Sequence, residues 1–151
     1  MKRIELESLI NAPIEQCFDA ARDIGLHVRL ASRTRERAIA GRVKGLIGPG
    51  EWVTFSAVHF GIRLQLTAHI AEFNAPHLFA DEQIRGPFAY LKHTHIFEAH
   101  SVHQTLMRDV IEFRAPFGIF GRMAEPVVAW HLRRFLKQRA QGMNKFLTTN
   151  Q

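Results

Sequence analysis

The sequence predicts an α+β fold: a curved antiparallel sheet of about seven strands wrapped around one long C-terminal helix, with two short helices after the first strand. Three observations predict it. Residues 52–114 read almost entirely as strands with short connections, which favours an antiparallel meander. Between Val128 and Leu147 apolar residues recur at three- and four-residue steps, as on an amphipathic helix. That helix must bury its stripe, and the sheet offers the only large apolar surface.

In chain order, Ile4, Leu6, Ser8 and Ile10 alternate with Arg3, Glu5 and Glu7 and read as a half-exposed opening strand. Asn11 offers a helix cap and Pro13 a first-turn residue for a short helix from Ile14 to about Ala21, with Ile14, Cys17, Phe18 and Ala21 on one face. Residues 23–32 form a second short helix, and Ile39 to Val43 a strand before the Gly-rich break at 45–50. Residues 52–60 are rich in strand formers. After the turn at Gly61, Ile62, Leu64, Leu66, Ala68 and Ile70 alternate cleanly with Arg63, Gln65, Thr67 and His69. Pro76 interrupts, and strands follow at 78–85, 90–100 and 105–114, with turns at Gly86-Pro87 and near Ser101. Residues 115–121 join the last strand to the helix, whose polar face carries Arg133, Arg134, Lys137 and Gln141.

Composition narrows the function classes. The 151 residues suit a single domain, 46% hydrophobic and 23% charged. One cysteine excludes an intramolecular disulfide framework and fits a reducing compartment, so the chain is expected in the cytoplasm. No apolar run approaches the ~18 residues of a membrane span, and MKRIELESLI puts charges where a signal peptide needs its apolar stretch. The net charge is +6. The bases gather in two groups: Arg29, Arg33, Arg35, Arg37, Arg42 and Lys44, then Arg122, Arg133, Arg134, Lys137, Arg139 and Lys145. No zinc-finger spacing, phosphate-binding Gly loop or aromatic-basic RNA motif accompanies them, so they read as a solvated helix face and a polar loop, and no nucleic-acid partner is expected. No Gly-x-Ser-x-Gly elbow is present to support triad hydrolysis.

A sheet curved around a helix encloses space. There are 12 Phe against one Tyr and two Trp, and Phe lines apolar volume without needing a hydrogen-bond partner. The expected wall comprises Phe55, Leu64, Leu66, Phe79, Phe97, Met107, Ile111, Phe113, Leu132, Leu136 and Met143. Across the chain, Gly50-Glu51-Trp52-Val53-Thr54, His59-Phe60-Gly61-Ile62, Phe79-Ala80-Asp81-Glu82-Gln83, Gly86-Pro87-Phe88, His93-Thr94-His95-Ile96-Phe97 and Thr105-Leu106-Met107-Arg108-Asp109 resemble a bacterial branch of the START-like, or SRPBCC, superfamily. This superfamily has the helix-grip fold and includes the birch-pollen allergen and polyketide cyclase/dehydrase groups. The resemblance implies residues 1–151 form one ligand-binding domain with a cavity for a lipid, quinone or polyketide-like molecule. It implies no metal and no other cofactor.

The sharpest local feature is His93-x-His95, two imidazoles on one strand face with Leu91 and Phe97. On the next strand, Met107, Asp109, Ile111 and Phe113 share a row, with Asp109 opposite or diagonal to His95. The preceding strand brings Asp81 and Gln83 alongside. Three strands would thus deliver Asp81, Gln83, His93, His95 and Asp109 to one inner patch. Three readings of it stay open: a satisfied buried network, a polar end gripping a ligand oxygen, or an acid–base or metal site using His93, His95, Asp81 and Asp109. The other histidines form no spaced cluster and read as surface or local hydrogen-bonding residues; Cys17 reads as an inert core thiol. Phe117, Ile119 and Phe120 read either as a permanent core cap or as a lid with transient membrane contact.

Overall fold

The computed structural model describes residues 1–149. Seven antiparallel strands form one sheet: β1 (Lys2–Ile10), β2 (Arg37–Gly41), β3 (Trp52–His59), β4 (Ile62–Asn74), β5 (Leu78–Arg85), β6 (Tyr90–Ser101) and β7 (Gln104–Arg114). Their spatial order is β1-β7-β6-β5-β4-β3-β2, so only the first strand is out of chain order, paired with the last. Helices α1 (Ile14–Ala21) and α2 (Ile24–Leu30) fill the crossover between β1 and β2, and α3 (Gly118–Thr149) lies across the sheet. Among the described residues, no helix is long and apolar enough to cross a membrane.

Two apolar clusters hold α3 down. One centres on Phe18 of α1, whose ring meets Phe73, Phe79 and Phe97 edge-on at 5.4, 5.5 and 5.5 Å and packs with Ala140, Met143 and Leu147. The other joins Ile4, Ile111 and Phe113 to Ala129 and Leu136, with Phe88, Leu91, Val128 and Leu132 only partly buried at its margin.

Several boundaries differ from the sequence expectation, each for a local reason. Asn11 does not cap α1: Pro13 holds that position with no side-chain cap. Asn11 instead ties chain segments together, its N–H donating to Asn144 Oδ1 at 2.9 Å and its own Oδ1 accepting from Gln104 at 3.0 Å. Asp23 caps α2 by accepting from the Leu26 N–H, and the helix stops at Leu30. β2 ends at Gly41 rather than Val43, because Gly41 has φ of 75° and a Cβ there would lie 2.3 Å from the Trp52 carbonyl oxygen. β4 continues past Ile70 through a bulge to Asn74. The helix begins at Gly118, so part of the expected connection at 115–121 is its first turn. Phe117 and Gly118 turn the chain with φ of 70° and 54°. Gly121 then passes the Pro116 carbonyl so closely that a Cβ would sit 1.7 Å from the oxygen.

Candidate functional site

The inward rows of β5, β6 and β7 meet in register. Asp81 pairs with His93, and His95 with Asp109. The side chains bond along the diagonals: His93 Nε2 lies 2.8 Å from Asp109 Oδ1, and His95 Nε2 lies 3.0 Å from Asp81 Oδ2. The two imidazoles stack at 3.8 Å, and His95 stacks in turn on Phe79 at 4.1 Å. His95 Nδ1 is 3.3 Å from Asp109 Oδ1 but without hydrogen-bond alignment. Of the five polar groups expected together, Asp81, His93, His95 and Asp109 are therefore together, crossed rather than paired directly.

Arg139 completes the cluster from α3. It is buried, donates to the Ala21 carbonyl oxygen at 3.1 Å and reaches within 3.9 Å of Asp109. Sequence reasoning placed it among solvated bases, a reading the structure corrects. Its helical spacing from Leu136 and Met143, both buried, was the available signal.

Burial on its own would raise the Asp109 carboxyl, but the hydrogen bond from His93 and the closeness of both imidazoles draw it far below the usual carboxylate range. Asp81 follows the same balance, with the bond from His95 and the charges of His93, His95 and Arg139 outweighing burial. Burial, reinforced by His95, lowers His93 despite Asp109. The cluster thus holds two carboxylates and an imidazole that favours its neutral form. Asp81, His93 and His95 also bring donor atoms within 4.8 Å of one another and could hold a metal ion, with His93 Nε2 and His95 Nε2 engaged here by carboxylates instead.

Two chambers open onto this cluster. The outer, of about 320 Å³, lies between β3–β6 and α3, walled by Phe55, Ala57, Leu64, Leu66, Phe88, Leu91, Val128, Leu132 and Phe135. The inner, of about 70 Å³, is bounded by Phe79, Ile70, Val53, His93, His95 and Arg139. His27, Phe55 and Asp81 line both and stand between them. Of the residues expected in the wall, Phe55, Leu64, Leu66, Phe79 and Leu132 face these chambers. Phe97, Met107 and Met143 pack around Phe18, and Ile111, Phe113 and Leu136 lie in the other core cluster. Gln83 does not face either chamber. Its amide donates to the Phe88 carbonyl oxygen at 2.8 Å and accepts from the Phe88 N–H, fixing the β5–β6 turn that carries Phe88 into the wall.

Histidines expected to be incidental also reach the outer chamber. His27 is bonded to buried Glu36 at 2.6 Å and lies on Phe55, with ring centroids 4.7 Å apart. His59 Nδ1 and His131 Nε2 are hydrogen-bonded at 2.8 Å, linking β3 to α3 across the chamber, and burial lowers both. Only the fold brings His59 and His131 together, so spacing could not reveal them. Cys17 is fully buried and burial raises its thiol, as an inert core residue requires.

A sheet gripping a long helix over an apolar chamber with a polar end defines a cavity protein of the helix-grip type. Its fold is that of the START-like, or SRPBCC, superfamily. The chain is similar to TTHA0849 from Thermus thermophilus, with a TM-score of 0.81 and 15% identity over 99% of each chain. It is similar to a START superfamily protein from Mycobacterium smegmatis, with a TM-score of 0.77 and 9% identity over 99% of each chain. It is also similar to the Zhui aromatase/cyclase from Streptomyces sp. R1128, with a TM-score of 0.80 and 10% identity over 97% of this chain and 93% of that one. No family model and no curated protein matches the sequence. Identities this low speak for the fold alone.

Proposed function

We propose that this protein binds and carries a hydrophobic small molecule of lipid, quinone or polyketide-like character, with its apolar body in the outer chamber and an oxygen-bearing end at Asp81 and His93. One observation carries the reading: a chamber of about 320 Å³ with a mostly apolar wall includes the Asp81 carboxylate, which is bonded to His95 of the crossed histidine–aspartate cluster. Ligand sites of this kind occupy ~300–1,000 Å³, greasy with a few placed polar groups. The test is native mass spectrometry of the purified protein, with and without a fluorescent fatty-acid probe, beside Leu66→Trp, which fills the chamber from β4. Wild-type protein is expected to retain a co-purifying molecule or take up the probe, and Leu66→Trp to lose it with its melting temperature nearly unchanged. Equal uptake by both would end the proposal.

A second reading rests on the cluster itself. Asp109 orients His93 while burial favours its neutral imidazole, the state of a general base, and Asp81 stands at the same ligand end. A cyclase- or dehydratase-like reaction on a polyketide-like substrate would use these groups, and the aromatase/cyclase among the fold neighbours makes such a substrate the first to try. Turnover of a model polyketide thioester that His93→Gln abolishes, with probe binding intact, would favour catalysis over carriage.

A further inference from the structure

The first turns of α3 bear a second apolar stripe, facing away from the sheet. Ile119, Phe120, Met123, Val127 and Trp130 are 73, 82, 74, 57 and 59% exposed, and Phe117 just before them is 84% exposed. At helical spacing the five fall within an arc of about 100°. Single exposed apolar residues are ordinary; a run of five on one helix face, with Phe117 beside it, marks an interaction surface.

Charge says what the surface meets. Arg134 and Lys137 continue the same arc toward the C-terminus, the Arg134 guanidinium lying over the Trp130 ring at 5.4 Å. Arg122 and Arg133 flank it, and Arg114 lines the same surface hollow as Arg122. The sole acid in α3, Glu125, is half-buried and accepts the Ala115 N–H at 3.2 Å. The face is therefore apolar and cationic. A second copy laid against it would set these bases against one another with no acid on the face among the described residues.

The position also matters. Pro116, Val128 and His131 carry the flank of this segment into the outer chamber. Across the opening, Phe60 at the β3–β4 turn is 58% exposed and its ring lies 4.5 Å from that of His131. We infer that the N-terminal half of α3, with Phe117 and Phe60, docks on an anionic lipid membrane and sets the chamber entrance against the bilayer. An amphipathic helix with large apolar residues on one side and bases around them lies in the plane of such an interface.

The test uses the full chain with vesicles of phosphatidylcholine alone or mixed with phosphatidylglycerol. Co-sedimentation with the mixed vesicles is expected, falling with salt and absent on phosphatidylcholine. In a Trp52→Phe background, Trp130 emission should shift blue and be quenched by brominated lipid. Phe120→Ser with Met123→Ser, and separately Arg134→Glu with Lys137→Glu, should each weaken binding about tenfold or more. Their melting temperatures should stay near wild type, since the altered side chains are exposed. Leu66→Trp, blocked inside, should still bind vesicles, which separates this docking from the ligand reading. No association with either vesicle, or equal binding by the surface variants, would overturn the inference. So would a concentration-dependent dimer that shields Trp130 and is lost in the same variants.

Discussion

Asp109 is the residue on which the polar cluster turns. It lies on the inward row of β7, 1% exposed, facing His93, His95 and the Arg139 guanidinium. Asp109→Asn would leave buried positive charge without its counter-ion, and the loss on urea unfolding is expected at about 3–5 kcal/mol. Acid should act in two stages. The His93, His59 and His131 imidazoles are held below the ordinary 6.5, so as pH falls through that value the unfolded chain binds protons the folded chain does not. Stability should therefore begin to decline near 6.5. The Asp81 and Asp109 carboxyls are held below the ordinary 3.8, so their contribution is complete above that value and is lost below it. Urea midpoints measured across this range should show both declines, and Asp109→Asn should blunt the second. The His93-x-His95 spacing and the rows containing Asp81 and Asp109 were legible in the sequence because a strand's two-residue period is rigid. Arg139 was not. Its charge argued for solvent while its place on the stripe argued for burial, and the Ala21 carbonyl oxygen that accepts its proton is supplied by a helix over a hundred residues earlier in the chain.

At the level of elements, period fixed identity and long-range contacts fixed the ends. Seven strands and three α-helices follow from alternation and from the stripe of α3. The stop at Gly41 and the tight corner at Gly121 depend on Trp52 and Pro116, whose approach no local pattern announces. Gly121 shows the consequence. Gly121→Ala would drive a methyl group into the Pro116 carbonyl, so the corner that closes the chamber must open; the melting temperature is expected to fall and probe binding to weaken. Pro126 is the opposite case. It sits exposed inside α3, where it cannot donate to the Arg122 carbonyl oxygen. Pro126→Ala should restore that bond and raise stability by up to about 3 kcal/mol, read as a higher melting temperature.

For the whole molecule, the enclosed space was legible and its outline was not. Element order and the wealth of Phe pointed to a hollow between sheet and helix. The position of α1 then decides how much of it stays open. Phe18 inserts among Phe73, Phe79 and Phe97, so that end is solid, while the end toward the β5–β6 turn remains a chamber. The pairing of β1 with β7 has a further effect, on the timing of assembly. Lys2 is opposite Phe113 and Ile10 opposite Thr105, so the first strand made finds its neighbour only when the last has been made. Closing so long a loop is slow. A chain still on the ribosome with Arg114 just emerged would have its inner sheet face bare until α3 followed. That interval, more than any property of the finished protein, is when it would lean on chaperones and be prone to aggregate.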